Sequence, residues 1–228
     1  MFKIGITLFA AALLAACGTP QTRGPQIQPG EAATPPPGIP LYRIDSGHSE
    51  LRLLVYRAGP MARFGHNHVM VNRAVSGWVA TTGGVPGSSL SLTIPVTAFM
   101  VDPPQARADE GTDFAEDVSD DARDGTRHNM LSEGCLDGGR HPNITLTTRS
   151  LAMVDGKPVA TLTVNVAGHE STLAVPFTVE ISSGSVSGSG TFVLRQSDLG
   201  LVPFSIMLGA LQVQNEITVK FDLVAVKS

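Results

Sequence analysis

Leu211-Gln212-Val213-Gln214-Asn215-Glu216-Ile217-Thr218-Val219-Lys220-Phe221-Asp222-Leu223 sets Leu211, Val213, Ile217, Val219, Phe221 and Leu223 against Gln212, Gln214, Glu216, Thr218, Lys220 and Asp222. Side chains on an extended chain alternate faces, so this stretch predicts a long strand with one apolar and one wet face. Reading back from it, Val186, Gly188, Gly190, Phe192 and Leu194 keep the same period, and the internal glycines predict a bend or a closely approached backbone. Leu173, Val175, Phe177, Val179 and Ile181 repeat it, as do Leu162, Val164 and Val166 against Thr161, Thr163 and Asn165. Ile144 and Leu146 open this series, and turns fall at Gly156, Gly168-His169 and Ser182-Ser183-Gly184.

The pattern also runs through the first half of the chain. Leu51, Leu53 and Val55 alternate with Glu50 and Arg52, a strand follows over 68–81, and Leu90, Leu92, Ile94 and Val96 form a third. Pro95 inside that third strand predicts an edge or a bulge, since it cannot donate to a ladder. Between Asp102 and Pro142 the period is lost in favour of acids: Asp109, Glu110, Asp113, Glu116, Asp117, Asp120, Asp121 and Asp124. Ser119 there predicts the N-cap of one short helix running to about Leu131, with acids in its first turn. The spacing of a calcium loop is absent, so a solvated crossover is expected.

Together these give an all-β fold, an eight-stranded antiparallel barrel with one short helix in the crossover after the third strand. Its inward residues include Leu53, Val55, Leu92, Ile94, Leu162, Val164, Val175, Phe177, Phe192, Val213, Ile217 and Val219. Eight strands enclose either an interlocked core or room for one small ligand. Aromatics make up only 5% of the chain, which leaves few large side chains to fill the centre.

Ahead of the barrel stand two segments of different chemistry. Residues 1–16 carry Lys3, the apolar run Ile4 to Ala12 and Leu14-Ala15-Ala16, followed by Cys17-Gly18. A cationic start, a brief apolar core and small residues at the end make a secretory leader, too short for a spanning helix of about 20 residues. The ending resembles the lipobox of bacterial lipoproteins, which implies that Cys17 becomes a lipidated N-terminus in the cell envelope, with its thiol consumed. Gly18 in the next position, where an Asp would imply inner-membrane retention, points by the same resemblance to the outer membrane. Residues 17–40, rich in Pro, Gln and Gly, read as a tether, and residues 41–228 as the barrel domain.

The remaining chemistry narrows the functions. A net charge of −4 lacks the basic face that a nucleic-acid partner needs. With Cys17 consumed, Cys135 has no partner for a disulfide and reads as a buried, inert thiol. There is no Gly-x-Ser-x-Gly elbow and no phosphate-cradling glycine loop, so binding is expected rather than catalysis. His66 and His68, spaced i, i+2 on one strand face, are the best polar candidates, as contacts for an amphiphile head group or as two ligands of a metal ion. Arg127 and His128, on the predicted helix, are further candidates for an anionic head group. Arg195 and Asp198 read as a strand-end ion pair.

Several motifs taken together resemble the YceI-like proteins. They are Tyr42-Arg43-Ile44-Asp45 with His48-Ser49; Arg127-His128-Asn129-Met130-Leu131 through Leu136-Asp137 to His141-Pro142-Asn143-Ile144; Val166 to Leu173; and Phe192-Val193-Leu194-Arg195 with Asp198-Leu199-Gly200. The resemblance implies a lipocalin-like barrel with a helix near its mouth, no catalytic residues, and a long apolar ligand: a polyisoprenoid, a quinone-like molecule or another amphiphile. It puts the helix carrying Arg127 and His128 near the mouth, where His66 and His68 are expected with them to contact a head group. This chain departs from the family in its lipobox, in the His66/His68 pair and in a short segment between Leu199 and Leu211. Alternative expectations are a metal-binding envelope protein using His66 and His68, and a structural or partner-binding envelope domain.

Overall fold

The computed structural model describes residues 33–228, so the leader, Cys17 and most of the tether lie outside the described residues. In chain order the strands are β1 (Leu41–Ile44), β2 (Glu50–Ala58), β3 (His68–Asn72), β4 (Ser76–Ala80), β5 (Ser89–Pro95) and β6 (Met100–Val101). Helices α1 (Pro104–Asp109) and α2 (Asp120–Leu131) follow. The chain then forms β7 (Asn143–Val154), β8 (Lys157–Val166), β9 (His169–Pro176), β10 (Thr178–Ile181), β11 (Ser185–Arg195), β12 (Ser205–Ile206) and β13 (Leu211–Lys227).

Thirteen strand segments stand where eight strands are predicted, because long strands bend as the sheet curls. β1 and β2 are one run interrupted by the turn Ser46–His48, and both pair with β13. β3 and β4 form a second run, pairing respectively with β2 and β1. β5 and β6 form a third, broken where Pro95 ends the ladder ahead of the turn Val96–Ala98. β9 and β10 are a single run that changes partner at Phe177, from β8 to β11. With β7, β8, β11 and β13 these make eight antiparallel runs, and β12 adds two residues against β13. β13 closes the barrel: β11 lies along one edge through Ser185↔Val226 to Arg195↔Glu216, and β2 and β1 share the other.

Closure is incomplete between the sixth and seventh runs, where the ladder covers only Thr178–Ile181. Above it, the buried Leu199 packs with Val166 and Val175, and Phe192 and Leu194 join the same cluster. Gly190 sits at the lower edge of this seam. A Cβ there would lie 2.8 Å from the Phe221 ring and 2.9 Å from the Pro176 carbonyl oxygen, so the glycine answers to close approach.

The crossover departs from the sequence reading. It contains two α-helices, and α1 starts at Pro104, where a missing N–H costs nothing. α2 begins as expected, with the Ser119 side chain accepting from the Ala122 N–H. Nor is the crossover merely solvated. Phe114 is buried with Ala106 against Leu54, Val69 and Val71, which gives β2 and β3 a second, outward-facing core. The acids fasten this layer: Arg52 reaches Glu50, Asp109 and Glu110, Lys220 also pairs with Glu110, and Arg57 pairs with Glu116. Arg195 pairs across the ladder with Glu216 at 3.0 Å, not with Asp198. At the other end of the barrel, the Ala33 carbonyl accepts from Trp78 Nε1 at 2.8 Å, so the end of the tether lies along the outer wall.

Candidate functional site

Two chambers run in series through the barrel. The inner one has a volume of about 170 Å³ and is walled by residues such as Leu90, Leu162, Val175, Phe177, Val179 and Val186. Its polar side chains, Thr81 and Ser88, bond to each other and to the Gly84 carbonyl. The outer chamber measures about 450 Å³ and opens between the 59–67 and 196–210 connections, with Thr126, Asn129 and Met130 of α2 on its wall. Leu51, Ile94, Leu146, Leu173, Phe192 and Val219 line both, so the two chambers adjoin across a shared apolar wall. All twelve inward residues expected from alternation (Leu53, Val55, Leu92, Ile94, Leu162, Val164, Val175, Phe177, Phe192, Val213, Ile217 and Val219) stand on the wall of one chamber or both. The sequence left a dry core and a cavity equally open; the structure holds a cavity of a size that suits a small-molecule ligand.

Polar groups gather at the outer end. His66 and His68 both line the chamber, with ring centroids 6.1 Å apart. His68 is held from behind: its Nδ1 lies 2.6 Å from Asp102 Oδ2, and its Nε2 is 3.4 Å from Thr126 Oγ1. Asp102 is wholly buried, and its Oδ1 accepts from the Val69 N–H at 2.8 Å and from Arg107 at 2.6 Å. Its own N–H donates to the Val69 carbonyl, so the residue clips the end of β6 to β3 in a left-handed conformation (φ 51°). Arg107 is buried as well and donates onward to the Asn67 and Glu116 carbonyls. Burial opposes charge on Asp102, but the hydrogen bonds from His68, from the Val69 N–H and from Arg107 outweigh it and hold the carboxyl below its ordinary range. Nδ1 of His68 is thereby held on the Asp102 carboxylate, which turns Nε2 toward Thr126 and the chamber.

Sequence reasoning missed Asp102 and Arg107. The only local signal was an Asp followed by Pro103-Pro104 at a strand end, and pairing with His68 across 34 residues leaves no periodic trace. Two predicted mouth residues are corrected. Arg127 lines neither chamber; its guanidinium is spent on the carbonyls of Thr97 and Phe99, where it pins α2 to the third run. His128 is exposed and lines neither chamber. Cys135 does reach the outer chamber, half-buried, and burial pushes its thiol up, partly offset by Ser132. For a metal, His66 and His68 need further ligands, and among the described residues no three His, Cys, Asp or Glu side chains converge. Cys17 lies outside the described residues.

The molecule is thus an antiparallel barrel around apolar chambers with polar groups at the outer end. The YceI-like domain family matches residues 42–225, and the chain belongs to that family. Two solved structures share the fold. BcnA of Burkholderia cenocepacia is 17% identical, with a TM-score of 0.58 over 79% of this chain and 98% of that one. A polyisoprenoid-binding domain from Saccharophagus degradans, implicated in plant cell wall breakdown, is 12% identical, with a TM-score of 0.54 over 83% of this chain and 99% of that one. Among curated proteins nothing matches.

Proposed function

We propose that the barrel binds and carries one long apolar or amphiphilic molecule, of polyisoprenoid, quinone-like or fatty type. The adjoining apolar chambers, with the histidines at the outer one, carry this reading: an apolar chain enters the inner chamber while a polar head stays with His66 and His68. Burial of the chain supplies most of the affinity, at about 0.8 kcal/mol per CH₂ before ordering costs. The solved polyisoprenoid-binding domain supports the ligand class by likeness of fold.

The leader and Cys17 complete the proposal: the chain is a lipoprotein of the bacterial envelope, held to the outer membrane with its barrel on the periplasmic side. Incorporation of labelled fatty acid into the protein, lost on Cys17→Ser, is the expected result. The carrier reading is tested by native mass spectrometry of residues 33–228 exported to a bacterial periplasm. An added mass of several hundred daltons that organic solvent extracts is expected. A small increment removed by a chelator and by changing both histidines would transfer the reading to metal binding.

A further inference from the structure

One side of the outer chamber's rim is strongly apolar. From Leu199 to Leu211 the chain reads Leu-Gly-Leu-Val-Pro-Phe-Ser-Ile-Met-Leu-Gly-Ala-Leu, with no charged residue and a single hydroxyl. Leu201, Val202, Phe204, Ile206 and Leu211 line the outer chamber, Val202 and Ile206 while also exposed, and Met207 and Leu208 stand largely or fully exposed outside it. Met207 and Leu208 hold left-handed backbone, at φ 53° and φ 55°, a conformation that costs bulky residues free energy. Beside them is the 59–67 connection, tied on by the Met61 N–H to the Ala210 carbonyl. It adds the exposed Phe64, whose ring lies 4.5 Å from the Arg63 guanidinium.

A water-soluble rim gains nothing from strained turns that thrust Met207 and Leu208 outward. Such knobs are suited to entering an apolar phase, and they stand on the same lip that leads to the apolar chambers. We infer that the 199–211 segment and Phe64 seat the mouth of the barrel on a lipid bilayer. The inference rests on the carrier reading, for which it supplies the route: a long apolar molecule passes between membrane and cavity without crossing water.

Three further features choose a bilayer over a protein partner. The exposed side chains Phe64, Val202, Ile206, Met207 and Leu208 come from two connecting loops, and the 199–211 loop carries no charge with which to select a folded partner. Arg63 beside Phe64 places a cation over an aromatic, the pairing that suits the polar boundary of a membrane. The end of the tether lies on the outer wall at Trp78, and the chain between Cys17 and Ala33 can reach on the order of 55 Å when extended, about the length of β13. A lipidated Cys17 therefore lets either end of the barrel face the membrane, and the apolar rim selects the mouth. The cation of the outer chamber, Arg57, is already paired with Glu116, so seating depends on apolar insertion rather than on anionic lipid.

Single tryptophan probes on the full processed chain, reconstituted in zwitterionic phosphatidylcholine vesicles, test this. Leu208→Trp reports the rim, and Val154→Trp, at an exposed strand end beyond the inner chamber, reports the opposite end. With brominated acyl chains, Leu208→Trp is expected to lose most of its added emission while Val154→Trp keeps its own, with no loss of effect in high salt. Equal quenching of the two probes, or none of either, overturns the inference. So does a Leu208→Trp emission already shifted to the blue without vesicles together with a concentration-dependent dimer, which would give the rim to a second copy. Extractable ligand measured on the same preparations reports on the carrier reading separately, and neither of its outcomes changes what the two probes say about the rim.

Discussion

The inner and outer chambers are walled by the same alternation, yet they are built to opposite ends. The inner chamber holds almost nothing that can hydrogen-bond a guest, so on the carrier reading it selects for length and bulk. The outer chamber places a histidine on a buried carboxylate and a buried guanidinium, an arrangement that orients a polar group but adds little net affinity. In such a barrel, how tightly a guest is held and which way round it sits are set in different places. Substitutions at each end should separate the two.

The largest effect belongs to the outer end. Asp102→Ala leaves Arg107 buried without its partner and frees the β6 end from β3, and breaking a buried pair in this way costs about 3–5 kcal/mol. Urea unfolding should show the loss as a lower midpoint. Asp102 also sets an acid limit. Its carboxyl titrates lower when folded than when unfolded, so its contribution is complete above the unfolded value of about 3.9 and fades as pH falls through the lower folded value. Replacing it should therefore flatten the acid side of the stability profile below about pH 4.

Next comes Phe177→Asp in the inner chamber. A carboxylate there faces apolar walls with no cation among the lining residues, and ligand retention should be abolished. Unchanged retained mass in native spectrometry would sink the carrier reading. Because Phe177 is only half-buried and borders open space, the fold should survive with a loss of about 1–3 kcal/mol, checked in the same unfolding experiment.

The contrast also explains what the sequence could reveal. Inward positions were legible because burial on one face imposes a period of two, and Leu211 to Leu223 carries it openly. The breaks in the runs were legible only at Pro95, where chemistry forbids the ladder; the change of partner at Phe177 leaves the alternation intact and so leaves no mark. Asp102 and Arg107 were hidden for a different reason. Each is a single residue whose role arises when β6, β3 and α1 meet, and the acids around them read as a solvated run. Phe114 shows the same blindness: a lone aromatic among acids, it forms the outward core with Tyr56 at 5.4 Å.

A smaller effect should follow from His68→Gln. The amide keeps a polar group at the chamber wall but loses the oriented imidazole between Asp102 and Thr126, so one hydrogen bond to the guest's head is weakened. That is worth about 0.5–1.5 kcal/mol, or up to roughly tenfold in dissociation constant, measurable by competition with a fluorescent amphiphile. Chain-length preference should not change, since the inner chamber is untouched. A change in length preference instead of in affinity would erase the division between the two ends.

The smallest effect discriminates between neighbours on one helix. His128 is exposed and Thr126 touches the chamber, two residues apart on α2, a spacing that puts them on different faces of a helix. His128→Ala should leave stability within about 0.5 kcal/mol and leave guest binding unaltered. Thr126→Val removes the only hydroxyl that α2 offers to His68 Nε2, and it should weaken guest binding slightly, by less than His68→Gln, while barely changing stability. If His128→Ala weakened binding and Thr126→Val did not, the head group would lie on the outer side of α2, and the mouth would have to be redrawn around the helix rather than around the His66/His68 pair.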